Sequence, residues 1–305
     1  MKTLRYLSDP AMFEMFAPAI LAGLAVAIAC AVLSPLAVLK RMSFVGQGIS
    51  HAALGGVGVV AIVSALGGTA AAMVSHEMAQ SLVIFAFCAG SAWLIARLTE
   101  RGSTAADTAI GIVLVGAMTL GAILVQLARR AGASNVRSWE SLLFGDMLVV
   151  TWTDAGMACV VAAAVLGAAW WFRRPMVFWA FDEAAAPAFG VSSWAMKHLL
   201  VGLLALAIVA SMKLAGVLLA TAMLVLPGAI ALRLSRRLWV VMGCSLAAGL
   251  LGVVGGLVAS FEMDLPPGGA IVGVLVLGYA AARAWPRREG ASEARGVRRG
   301  GAAAE

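Results

Sequence analysis

Of 305 residues, 62% are hydrophobic and only 12% are charged, with a mean hydropathy of +0.98. Soluble domains carry about 25% charged residues, so this composition cannot cover a water-facing globule, and most of the exterior must face lipid. The net charge of +7 and pI near 9.8 do not mark a nucleic-acid binder, because the basic residues sit between apolar runs and report topology instead.

The N-terminus comes first in chain order. Lys2 and Arg5 precede a hydrophobic run, but Asp9 and Glu14 intervene, and the run from Phe16 to Leu39 is too long for a cleaved signal core. It reads as a retained span. A bilayer core takes about 20 apolar residues per helix. Nine segments answer to that, at 16–39, 44–66, 80–97, 107–127, 148–172, 198–212, 214–232, 239–260 and 269–285. The expected fold is therefore all-α, a polytopic transmembrane bundle of about nine spans. The pair around Lys213 is short, as tilted or broken helices would be. Residues 1–285 form the membrane domain, and 286–305, rich in Arg, Gly, Ala and Glu, read as a disordered cytoplasmic tail.

Basic residues in the connections set the orientation. With the N-terminus outside, Lys40, Arg41, Arg97, Arg101, Arg173, Arg174, Lys197, Arg233, Arg236, Arg237 and every arginine from Arg283 onward fall inside. Lys2, Arg5, Arg129, Arg130, Arg137 and Lys213 fall outside. The C-terminus is then cytoplasmic. Glycines cluster within spans, at Gly55, Gly56 and Gly58, at Gly111 and Gly116, and in the Gly-x-x-x-Gly pairs Gly252/Gly256 and Gly269/Gly273. Small residues let helix backbones approach closely in lipid, within the chain or against a second copy.

The connection from Arg173 to Val191 is the informative loop. Asp182 and Glu183 before a run of alanines suit the start of a short helix, and Gly190 suits its end. Phe181 and Phe189 would face water there unless the membrane or a partner covers them.

Polar groups inside spans are expensive and mark function. Gln47 and His51 are four apart, hence on one helix face, with Ser50 beside them. Imidazole is a natural ligand for zinc, manganese or iron, and an amide oxygen supplements it; the alternative is that His51 is a hydrogen-bonded packing residue. Asp107 opens the fourth span as a second candidate ligand, although Thr104-x-x-Asp107 also fits a helix cap. His76, Glu77, Glu262 and Asp264 lie in loops on the outer side. Cys30, Cys88, Cys159 and Cys244 sit singly in apolar stretches and signal no disulfide or thiolate site. No Gly-x-x-x-x-Gly-Lys-Ser/Thr loop and no His-Glu-x-x-His pair occurs, so ATP-driven work would need another chain.

Taken in order, Lys40–Gly56, Asp107–Ile112, Leu143–Leu148 with Thr151–Asp154, Phe181–Gly190, Gly216–Ala229 with Arg233–Arg237, and Asp264–Gly268 resemble the permeases of zinc, manganese and iron ABC importers. The resemblance runs from about residue 16 to 285. It implies the helical fold shared with cobalamin and siderophore importers, a permease homodimer, separate ABC ATPase subunits and an extracytoplasmic metal-binding protein. It also implies a bacterial inner-membrane location, with lipid around the chain and no nucleic-acid partner. No cofactor is implied: ATP is used by the partner, and the metal is cargo, with zinc favoured by the Phe144-Gly145-Asp146 neighbourhood. A coupling segment is implied at about 175–197, its helices at 181–195 turning at Gly190, with Phe181, Asp182, Glu183 and Phe189 on the ATPase. The metal path is implied along Gln47, Ser50, His51 and Asp107. Where the family usually has aspartate, this chain has Gln47, and Pro187 is an unexpected residue for a coupling helix. A permease for a siderophore or cobalamin, or an ion-coupled secondary transporter, stays open as an alternative.

Overall fold

The computed structural model describes residues 10–67, 72, 76–100, 105–132 and 150–284. Phe144 to Asp146 and the tail at 286–305 lie outside them. Lipid offers no partner for a free backbone amide, so a spanning chain must satisfy its own. Regular structure among the described residues is accordingly helical: α1 (Pro10–Leu39), α2 (Val45–Leu66), α3 (Glu77–Glu100), α4 (Ala106–Arg130), α5 (Trp152–Trp171), α6 (Arg173–Phe181), a three-ten turn (Ala186–Phe189), α7 (Ser193–Leu234), α8 (Leu238–Met263) and α9 (Pro267–Ala284). Eight helices are long and apolar enough to cross a bilayer, and Leu218–Leu234 is a shorter ninth. The all-α, roughly nine-span bundle expected from hydropathy is thus what the chain forms.

Glycines fix how the spans meet. A β-carbon on Gly48 would press on Ile110, one on Gly55 on Phe87 and the Ala117 carbonyl, and one on Gly58 on Gly121. The pairs advance together, so α2 and α4 run parallel with their backbones nearly touching. α3 runs the other way, with Gly48 against Ile95 and Gly56 against Ile84. Gly252 receives Leu275 and Gly256 abuts the backbone of Ile271, which makes α8 and α9 antiparallel. The first Gly-x-x-x-Gly pair is thereby used inside the chain. In the second, Gly273 faces open space. Large side chains such as Ile112, Val115 and Ile123 on α4 and Val160 on α5 point outward, as a lipid-facing surface requires.

The longest helix cannot be one rod. Its 42 residues would extend about 63 Å, twice a bilayer core of about 30 Å. Gly216 breaks it with φ 71° and ψ 178°, a backbone region only glycine enters freely. The Ser193 hydroxyl donates to the Glu183 carbonyl at 3.2 Å, and Glu183 pairs with Lys40 just past the end of α1. Toward the other end of α7, the Gly228 amide donates to the Ser34 hydroxyl at 2.8 Å. Ser245, early in α8, donates to the Ala31 carbonyl at 2.6 Å. Both ends of α7 therefore lie beside the C-terminal part of α1, and the chain doubles back at Gly216.

The finish of α1, α3, α5, α7 and α9 and the start of α2, α4 and α8 consequently share one end of the bundle. Lys40, Arg41, Arg97, Arg173, Arg174, Arg233, Arg236, Arg237 and Arg283 gather there. Glu14, His76, Glu262 and Asp264 mark the opposite end, together with Arg129 and Arg130.

The connection between α6 and α7 departs from the sequence expectation. No helix begins at Asp182: α6 stops at Phe181, and Asp182 terminates it in an extended conformation. The Asp182 carboxylate accepts the Ala185 amide at 2.9 Å, and this competing side-chain bond is what closes a turn in place of a helix. The three-ten turn follows with Pro187 in its opening positions, where no amide donor is needed. The proline that looked awkward inside a helix is therefore well placed. Gly190 ends the turn at φ 76°, and the Ser192 hydroxyl caps α7 by accepting the Ala195 amide at 3.2 Å. Thr151 and Asp154 form a reciprocal capping box at the start of α5, which gives the Thr-Trp-Thr-Asp motif a structural role.

Candidate functional site

The first turns of α2 carry the candidate ligands. Val45, Gly46, Gly48 and Ile49 bury one face of the helix, which turns Gln47 outward and leaves His51 partly exposed, with Ser50 buried between them. The Gln47 carbonyl accepts from two side chains, Ser50 Oγ at 3.1 Å and His51 Nδ1 at 3.0 Å. A carbonyl only accepts, so that bond assigns the proton to Nδ1 and leaves the lone pair on Nε2. Holding one ring nitrogen by a backbone carbonyl is how ligating imidazoles are oriented. This face offers one borderline nitrogen and one neutral amide, without the negative charge that an aspartate at 47 would bring. Among the described residues, no three His, Cys, Asp or Glu side chains cluster closely enough to cage an ion.

Asp107 lies exposed in the first turn of α4. The cap residue there is Ala105, which makes no side-chain cap bond; Thr104 is outside the described residues. With Gly48 against Ile110 and Gly55 against Ala117, the register sets His51 level with residue 113. Asp107 is then about 9 Å nearer the helix starts at 1.5 Å per residue. The structure brings Gln47, Ser50 and His51 together and holds Asp107 apart, nearer the basic end.

The second cluster sits at that same end. Phe181 is 65% exposed and Phe189 73% exposed. The Phe189 ring meets Phe178 edge-on, with centroids 5.2 Å apart. Beneath them Met176, Trp179 and Ala186 are buried. Asp182 and Glu183 flank this aromatic surface. Sequence reasoning missed Lys40 as a member of the cluster. Its ammonium lies 2.8 Å from Glu183 Oε2 and 4.0 Å above the Trp179 ring, a contact spanning 143 positions of sequence that no local signal announces.

A bilayer-length bundle with one ligand-bearing helix face, and an exposed aromatic segment where its basic residues gather, has the build of a membrane-spanning transport subunit. The model of the ABC 3 transport family matches residues 12–284, and the chain belongs to that family. It is 31% identical to the manganese transport system membrane protein MntC of Halalkalibacterium halodurans, over 83% of this chain and 81% of that one. It is 28% identical to the high-affinity zinc uptake system membrane protein ZnuB of Haemophilus influenzae, over 86% of this chain and 94% of that one. Among solved structures, PsaBC from Streptococcus pneumoniae in complex with Fab superposes with a TM-score of 0.76 at 26% identity, covering 92% of this chain and 95% of that one.

Proposed function

We propose that this chain is the permease of an ATP-binding cassette importer for a divalent transition metal, with zinc favoured and manganese or iron as the other cargoes. The observation that carries the reading is the oriented imidazole of His51, whose Nε2 is free while Nδ1 is held by the Gln47 carbonyl. Family membership and the metals named for the relatives support the cargo class. Two copies of the chain flank the path, two ATPase subunits sit below, and an extracytoplasmic metal-binding protein delivers the ion from above. The basic end faces the cytoplasm and the N-terminus lies outside.

The chain supplies a route and leaves hydrolysis to its partner. A single imidazole backed by an amide holds a transition metal weakly, and a path needs such contacts, since tight coordination would trap the ion. Asp107, at the cytoplasmic end of α4, offers a charged exit step. Phe181 and Phe189 dock in a groove of the ATPase, with Asp182 and Glu183 at the rim, and movement of that segment alternates access to the path. Reconstitution of the permease with its ATPase and binding protein in vesicles tests this. ATP should drive uptake of zinc, manganese or iron, with competition among the three ranking the cargo. A complex that hydrolyses ATP yet moves none of the three overturns the proposal.

A further inference from the structure

The Lys40–Glu183 contact connects two parts of the molecule that the mechanism must connect. On one side is the turn between α1 and α2. It has no slack: the Arg41 amide donates to the Val38 carbonyl at 3.1 Å and the Met42 amide to the Ala37 carbonyl at 2.8 Å, the paired bonds that close a helix C-terminus. Arg41 is held at φ 54°, unusual for a residue with a side chain, and Met42 is buried. The Val45 amide then bonds the Met42 carbonyl at 3.0 Å, which starts α2 at once. Any displacement of Lys40 is passed to the first turns of α2, where Gln47 and His51 sit.

On the other side is the segment between α6 and α7. Glu183 is fixed there through its carbonyl, which accepts from Ser193 Oγ at 3.2 Å, and by the adjoining turn that Asp182 closes. Between the two parts lies Lys40, its side chain 11% exposed, with Glu183 Oε2 at 2.8 Å and the face of Trp179 at 4.0 Å. Trp179 itself is 1% exposed and so forms a fixed floor. An ion pair half open to water adds little to stability, but a cation held between a carboxylate and a buried ring transmits position.

We infer that Lys40 is a positioning residue that transmits movement of the ATPase-docking segment to the metal-bearing turns of α2, through its joint contacts with Glu183 and Trp179. This rests on the proposed function for the identity of the docking partner. The test uses the whole importer in vesicles, reading ATP hydrolysed per metal ion taken up, together with backbone hydrogen exchange at residues 45–51 with and without nucleotide. Lys40→Met should leave hydrolysis near the wild-type rate, lower uptake at least tenfold, and abolish the nucleotide-dependent change in exchange. Lys40→Arg, which keeps the charge and the ring contact, should behave as wild type, and the reversed pair Lys40→Glu with Glu183→Lys should recover most of the uptake. Lys40→Met that keeps the wild-type ratio, or that loses hydrolysis and uptake in proportion, overturns the inference. The exchange measurement does not depend on cargo. A wild-type complex that moves no metal, but still shows the Lys40-dependent change at 45–51, defeats the transport reading and leaves this one standing.

Discussion

His51 works with a single nitrogen because the other is committed to a backbone carbonyl four residues earlier. Replacing it with alanine removes the only imidazole on that face, and a neutral amide at 47 is a poor substitute. We expect His51→Ala to lower metal uptake at least tenfold while leaving assembly with the ATPase unchanged by size-exclusion chromatography. Unaltered uptake would return His51 to a packing role. The sequence displayed this pair through its four-residue spacing, since that spacing fixes one helix face. It did not display the tautomer, which depends on a bond formed only once the helix exists, nor the place of Lys40. Counted only as a topological charge, Lys40 finds its partner 143 positions away. Asp107 shows the reverse case: its chemistry was legible, but its distance from His51 is set by the register of two helices, which spacing along one helix cannot report.

At the scale of elements, the parallel seam between α2 and α4 rests on missing side chains. A β-carbon at Gly121 would come within 2.5 Å of the Leu54 carbonyl oxygen, whereas one at Gly116, two turns away on the same helix, would meet nothing within 4 Å. Gly121→Ala should therefore destabilise the protein by about 1–3 kcal/mol, the usual cost of overpacking. Gly116→Ala should be neutral or gain up to about 1 kcal/mol from helix propensity. Thermal unfolding of the two variants in detergent separates them, and equal melting temperatures would mean that the seam is looser than the structure has it. Hydropathy located the spans because twenty apolar residues admit few other fates. The segment after α6 was misread as a helix start because acidic residues before alanines favour both a helix N-terminus and a side-chain-closed turn. Only the Asp182–Ala185 bond decides between them, with Pro187 as the one local hint.

For the whole molecule, the uneven distribution of Lys and Arg that suggested sidedness reappears in space as a basic end and a mixed end. With the basic end in the cytoplasm, a cysteine placed at Glu262 should react with a membrane-impermeant maleimide applied to intact cells. One placed at Ser235 should react only after permeabilisation, and the inverse pattern would reverse the orientation. Counting charges could reach this far because lipid forbids charged loops from lingering inside it. It could not reach the reversal within α7, which the sequence marked only as two short apolar runs meeting near Lys213. The geometry of Gly216 carries an implication for biogenesis. A helix continuing straight through that position would deliver everything after it to the opposite compartment, and Arg233, Arg236, Arg237 and Arg283 would then face the wrong bath. One achiral residue thus sets the parity of the final third of the polypeptide, so the aqueous phase its C-terminus meets is decided about seventy residues before the last helix ends.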